Sequence, residues 1–170
     1  MTIAFASAGL SDLELLQNAL DGTASLRTRI VWLVGRPGTG KTKLLHGLAQ
    51  SRSDWEYINV NRELAKALQH LPSASRPFVA AGCLSAILPA RTSGAWLADN
   101  TELALSRNLQ LAVVERFKAI GQQVSLVVAW CGEYLDNKLI YGTPEHADYR
   151  VFPLEHAVVI DLNNSNNQRH

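Results

Sequence analysis

Cysteine is scarce in this 170-residue chain: Cys83 and Cys131 are the two present, with no C-x-x-C spacing. A disulfide framework or a zinc ribbon is therefore not expected, and both thiols are read as reduced residues in or near a core. Net charge is nearly absent too. Sixteen basic residues face fifteen acidic ones, giving +1, so nothing in the composition draws the chain toward nucleic acid or an anionic membrane surface. No apolar run approaches the roughly 20 residues of a membrane span. The start of the chain has no basic n-region and carries Asp12 and Glu14 early, unlike a secretory signal. A reducing cytoplasm is the expected location. The five histidines, His46, His70, His146, His156 and His170, form no H-E-x-x-H pattern, and no G-x-S-x-G marks a serine hydrolase. With 47% hydrophobic and 18% charged residues, the chain is long enough and apolar enough for a single globular domain.

What is present is a strand, a glycine-rich loop and a helix in immediate succession. Ile30 to Val34 is a short apolar run rich in β-branched residues and reads as a buried parallel strand. Gly35, Gly40, Lys41 and Thr42 then satisfy G-x-x-x-x-G-K-[ST], the phosphate-binding P-loop. Leu44, Leu45 and Leu48 follow at helical spacing. The chemistry accounts for the residue types. Glycines let the backbone wrap closely around phosphates and aim its N–H groups inward, and the helix start adds unsatisfied N–H groups and a positive dipole end. The binding segment is thus Gly35, Arg36, Pro37, Gly38, Thr39, Gly40, Lys41 and Thr42. Lys41 is expected at the β- and γ-phosphates of ATP or another nucleoside triphosphate, and the Thr42 hydroxyl at Mg²⁺.

Along the rest of the chain, strand and helix signals alternate. Ser11 to Leu20 reads as a helix with Ser11 and Glu14 as a capping box, stopped at Asp21-Gly22. Residues 1–10 are expected to lie loosely over the surface. Trp55 to Val60 is a strand, and Asn61 is expected to cap a helix that ends at Pro72. Ser73 to Pro77 reads as a loop, Phe78 to Leu88 as a helix, Ala95 to Asp99 as a strand, and Leu109 to Ile120 as a helix. Val124 to Trp130 is the most hydrophobic strand and is expected to be central. Asp136-Asn137 between Leu135 and Lys138 predicts a tight hairpin, Thr143 to Tyr149 a turn and short helix, and Ala157 to Leu162 a last strand. The alternation predicts an α/β fold of the P-loop NTPase type: a three-layer, doubly wound, mostly parallel sheet with a small β-hairpin insertion near the C-terminus. Residues 1–29 form the N-terminal helix and lead-in, 30–162 the P-loop domain, and 163–170 a disordered tail.

A P-loop site needs an acid at the tip of a neighbouring strand to hold Mg²⁺ or its water. Asp99 fits, and Asp54, Asp136 and Asp161 are poorer candidates. Many P-loop ATPases follow this acid with a glutamate that polarises the attacking water; here Asn100 follows. An amide can orient water but is a poor base. Glu102, two residues on, could reach the γ-phosphate or could simply sit at a helix N-terminus. Lys41, Asn100 and Glu102 are the catalytic candidates, with Thr42 and Asp99 the metal pair. Arg36, Arg91, Arg107, Arg116 and Arg150 could stabilise transition-state charge, in cis or across a homo-oligomer; no motif singles one out.

With these segments placed, WLVGRPGTGKTKLL, YINVNRELAKAL, WLADNTEL, VVAWCGEYLDNKLIYGTPEHADYR and AVVIDL together resemble the BrxF family, the small P-loop proteins of type 3 BREX bacteriophage-exclusion systems. The resemblance runs from about Trp32 to Leu162. Its more specific parts are the D-N-x-E-L segment at Asp99 to Leu103 and the block containing Tyr141, Pro144, His146, Tyr149 and Arg150. It implies a bacterial cytoplasmic component of an anti-phage system, working beside a methyltransferase and other BREX proteins, with no direct nucleic-acid or membrane binding indicated. In that family D-N in place of D-E belongs to the pattern. Three functions compete at this stage: an ATP-binding regulator or weak ATPase of a defence complex, a partner-binding module whose nucleotide is structural, and a small P-loop kinase. The kinase would need an arginine-rich lid, and Pro89 to Gly94 supplies one arginine only.

Overall fold

A computed structural model of the chain describes residues 3–4 and 11–165. Its centre is a sheet of six parallel strands: β1 (Ile3–Ala4), β2 (Ile30–Gly35), β3 (Trp55–Asn59), β4 (Ala95–Asp99), β5 (Ser125–Cys131) and β9 (Val158–Asp161), in the order β1-β9-β2-β5-β4-β3. Between β5 and β9 the chain builds a second, antiparallel sheet from β6 (Glu133–Leu135), β7 (Lys138–Tyr141) and β8 (Arg150–Pro153). The helices are α1 (Asp12–Gly22), α2 (Lys41–Ser51), α3 (Val60–Leu68), α4 (Arg76–Ile87), α5 (Glu102–Leu105), α6 (Val113–Gly121) and α7 (Leu162–Ser165). Among the described residues no helix is long and apolar enough to cross a membrane.

Strand alternation divides the interior into two cores. Val31, Leu33, Leu97, Val127 and Ala129 face the layer that holds α1 and α2, with Leu16, Leu20, Leu45 and Leu48 packed against them. Trp32, Val34, Trp96, Leu126, Val128 and Trp130 face the opposite layer, where Leu64, Leu84, Val114 and Phe117 of α3, α4 and α6 pack. All six residues of β2 are buried, as a strand covered on both faces requires. The expected α/β architecture with a parallel central sheet is present, and β5 is central, between β2 and β4.

Several local expectations need correction. Ile3–Ala4 pairs in parallel with β9, so these two residues do not lie loosely over the surface; the rest of 1–10 is outside the described residues. Asn59, not Asn61, caps α3 by accepting from the Arg62 N–H at 2.9 Å. Helix α4 begins at Arg76 with Pro77 in its first turn, where the missing N–H costs nothing, so the loop predicted to run to Pro77 stops earlier. Helix α6 begins at Val113, and Arg107–Leu109 is a 3₁₀ turn instead. The Asp136-Asn137 hairpin forms, both residues having positive φ as a two-residue I′ turn demands. Residues 143–149, however, form turns without a helix, and Arg150–Pro153 adds a third strand to the hairpin. In the tail, Leu162–Ser165 is a short helix; the remainder, 166–170, is outside the described residues.

The small sheet is clamped to the large one at Trp130. The Trp130 indole N–H donates to the Ile140 carbonyl at 3.0 Å, and Tyr141 and Phe152 meet its ring edge-on. Leu139 is the fully buried residue of β7. Leu139→Ala should lower unfolding free energy by about 2–4 kcal/mol, visible as a lower midpoint in urea denaturation with an unchanged slope.

Candidate functional site

The site forms at the C-terminal ends of β2, β4 and β5. Strand β2 delivers the chain to Gly35, and the loop 36–40 leads directly into α2. A Cβ at Gly35 would lie 2.2 Å from Thr39 Oγ1, so any larger residue there would displace the Thr39 side chain from its bond to the Arg36 carbonyl. Gly40 occupies the N-cap of α2 with φ of +93° and supplies no side-chain cap, and the first turn of α2 carries no acidic residue. The leading N–H groups and the positive end of that helix are therefore offered to a ligand with no acidic residue of the same turn capping them.

Inside the loop, polar groups satisfy one another. The Thr39 hydroxyl donates to the Arg36 carbonyl at 2.9 Å. The Lys41 ammonium folds back to donate to the Gly35 and Arg36 carbonyls at 2.5 and 2.9 Å. Burial pulls Lys41 below the ordinary lysine range, while Cys131, Asp99 and Glu102 nearby oppose that shift. Cys131 ends β5 directly beside Gly35, and burial raises its thiol, against the pull of Lys41.

Asp99 lies across from Lys41 and is almost fully buried, at 2% exposure. Its Oδ2 accepts from the Thr42 hydroxyl at 2.7 Å and from the Tyr57 hydroxyl at 3.0 Å, and its Oδ1 from the Asn100 N–H at 2.9 Å. The two residues expected to form the metal pair are thus in direct contact. Asn100 sits in the left-handed region with φ of +51°, and its carbonyl accepts from the Asn61 N–H at 2.8 Å. Asn61 also reaches α5: its amide donates to Glu102 Oε2 at 2.9 Å and its Oδ1 accepts from the Leu103 N–H at 2.7 Å. The Thr101 hydroxyl, buried, donates to the Ala129 carbonyl at 2.9 Å and ties the turn to β5.

These groups enclose an open cavity of about 640 Å³. Gly38, Lys41, Thr42, Asp99, Asn100 and Glu102 line it, together with Pro37, Gly40, Lys43, His46, Ala129 and Cys131. The catalytic and metal candidates converge there. Of the expected binding segment, Gly35, Arg36 and Thr39 do not line it. The Arg36 guanidinium pairs with Glu133 of β6, its Nε lying 3.0 Å from Oε1, and the Arg36 backbone N–H donates to Asn163 Oδ1 at 2.8 Å. The other poorer acids lie elsewhere: Asp54 pairs with Arg52 before β3, Asp136 is in the hairpin turn, and Asp161 accepts from the Asn163 N–H. Of the candidate arginines, Arg91 pairs with Glu56, Arg107 donates to the Tyr149 carbonyl, and Arg150 donates to the Leu105 and Leu111 carbonyls.

No sequence motif marks Tyr57, His46 or Asn61 as residues of this site, where the structure places them. A signal for Tyr57 existed in the strand period: Asn59 pairs with Asp99 and Tyr57 with Leu97, so Tyr57 is on Asp99's face, one diagonal step back. Among the described residues no cluster of three or more His, Cys, Asp or Glu gathers to hold a metal. A cation here would rest on Thr42 and Asp99 completed by ligand and water oxygens, a donor set that suits Mg²⁺.

No protein-family model matches the chain, and no curated protein matches it. Among solved structures, PCH-2 of C. elegans is similar at 17% identity over 88% of this chain and 40% of that one, with a TM-score of 0.41. The chain thus spans about two fifths of that protein's length. Strand order and site geometry, not this likeness, describe the fold.

Burial raises Tyr57 to about 12, helped by the Asp99 charge and hydrogen bond. Its folded value lies above its unfolded one, so its contribution to stability is complete below pH 10 and is lost as pH rises toward 12. Tyr57→Phe should flatten that part of the alkaline stability profile, measured by denaturant titration between pH 9 and about 11.5.

Proposed function

We propose that this chain is a P-loop NTPase-fold protein that binds ATP with Mg²⁺. The observation that carries the reading is the 2.7 Å Thr42–Asp99 contact beside an uncapped helix start and Lys41. A hydroxyl that gives its proton to Asp99 keeps its lone pairs for a cation, and the surrounding N–H groups and ammonium suit a polyphosphate. Bound there, a nucleoside triphosphate with Mg²⁺ would supply the reactive γ-phosphoryl group. Lys41 would exchange its two loop carbonyls for phosphate oxygens, and this favours the charged ammonium that burial alone disfavours. Asn100 and Glu102 line the space beyond and are the chain's own groups for orienting a water and accepting its proton. Glu102 is engaged by Asn61, which supports slow hydrolysis in the isolated chain.

In this reading the protein is a weak or partner-activated ATPase in the cytoplasm, a regulator within a BREX anti-phage complex, as the resemblance to the BrxF family suggests. Four of the five candidate arginines, Arg36, Arg91, Arg107 and Arg150, pair with groups of the chain itself, and Arg116 on α6 does not line the cavity, which favours an activating group supplied by a partner.

Lys41→Ala should weaken ATP binding roughly ten- to hundredfold by loss of a charge-assisted contact, and Asp99→Ala should weaken it only when Mg²⁺ is present. Isothermal titration with and without Mg²⁺ checks both; an unchanged affinity in Lys41→Ala overturns the assignment. ATP turnover should rise when the neighbouring BREX proteins are added, and Glu102→Gln should abolish the rise. A stimulated rate equal in native and Glu102→Gln protein would remove Glu102 from the chemistry.

A further inference from the structure

Two residues on α2 reach the same carboxylate by different routes. Thr42 and His46 are four positions apart and so share one face of the helix. Thr42 donates directly to Asp99 Oδ2. His46 stacks on Tyr57, with ring centroids 4.0 Å apart and planes 25° from parallel, and the Tyr57 hydroxyl donates to the same Oδ2. The circuit Thr42–Asp99–Tyr57–His46 closes across α2, β4 and β3. The strand register imposes it: Tyr57 and Asp99 project to the α2 side of the sheet.

A buried carboxylate with too few donors turns to find others or draws in water. Among the described residues, Asp99 has no cationic side chain as a hydrogen-bond partner. Three neutral donors hold it instead, two of them on Oδ2 and the third on Oδ1. Thr42 is itself a metal candidate, and the Asn100 N–H belongs to the adjoining peptide. Tyr57 is therefore the partner of Asp99 that takes no other part in the site. Its half-buried ring stacks on the exposed His46 and packs against the α1–α2 core, which orients the hydroxyl toward Asp99.

We infer that Tyr57 is a positioning residue for the cation site: it locks the Asp99 carboxylate against Thr42 so that Asp99 meets Mg²⁺ or its water preorganised. This inference rests on the Mg²⁺-nucleotide reading above. Tyr57 touches neither nucleotide nor metal in it, and acts through Asp99 alone. The register places Tyr57 one diagonal step behind the acid, and its hydroxyl spans that step to Asp99.

The test is a double-mutant cycle read by binding, not turnover. A fluorescent, non-hydrolysable ATP analogue is titrated into the native protein, Tyr57→Phe, Asp99→Ala and the double variant, with Mg²⁺ and with EDTA. Tyr57→Phe keeps the ring and its stack on His46. It should leave EDTA affinity within about twofold and shrink the Mg²⁺-dependent gain about three- to tenfold, the worth of one hydrogen bond. In the Asp99→Ala background the same change should do nothing further. Equal losses with Mg²⁺ and EDTA, or the same loss in both backgrounds, would mean a purely structural tyrosine and overturn the inference. So would an unchanged or larger Mg²⁺ gain in Tyr57→Phe. If the native protein gains no affinity from Mg²⁺, both this inference and the nucleotide reading fall. If the native gain and the Asp99→Ala loss appear while Tyr57→Phe is silent, the positioning role alone falls.

Discussion

The structure depends most on the need to satisfy a buried negative charge. Asp99 sits at the end of a central strand with almost no exposure, and its hydrogen bonds reach β3 and α2 as well as its own turn. A carboxylate so placed is costly unless several donors meet it. Meeting it fixes the start of α2 relative to β4, although β5 lies between β4 and the strand that feeds α2. The loop 36–40 and the acid thus have one shared geometry.

A second set of contacts ties the loop outward. Arg36 pairs with Glu133, the Gly132 N–H donates to the Gly35 carbonyl at 3.2 Å, and Asn163 bridges the Arg36 N–H and the Gly132 carbonyl. Loop, small sheet and the segment after β9 therefore meet at one corner. The exposed Arg36–Glu133 pair contributes little to stability by itself. Its place in the structure is geometric: it turns a side chain of the loop away from the cavity, leaving the backbone and Lys41 to line it.

Sequence reasoning reached the strand-loop-helix unit, Asp99, the central position of β5 and the I′ hairpin because each is encoded locally. Glycine spacing, strand period and the Asp-Asn pair carry their own physical signatures over a few residues. It missed the cap of α3 by two positions because Asn59 and Asn61 are equally good local candidates. Tertiary pairing chose between them: Asn61 is engaged by Asn100, Glu102 and Leu103, which leaves Asn59 for the cap. The sequence pattern offers a turn and short helix over 143–149 and no strand at 150–153, where the third strand of the small sheet lies. Pro144 favours a turn, and only the partner strand β7 reveals Arg150–Pro153 as extended.

By itself, then, the chain's sequence determined the glycine-rich turn and the charge and hydroxyl chemistry of the candidate residues, since backbone freedom, charge and hydroxyl chemistry belong to residue types. Tertiary structure alone decided how those residues are held. Tyr57 on Asp99, Asn61 on Glu102 and Glu133 on Arg36 each join residues about 40 to 100 positions apart. Such contacts exist only after the sheet has set strand order and register, and no local pattern contains that information.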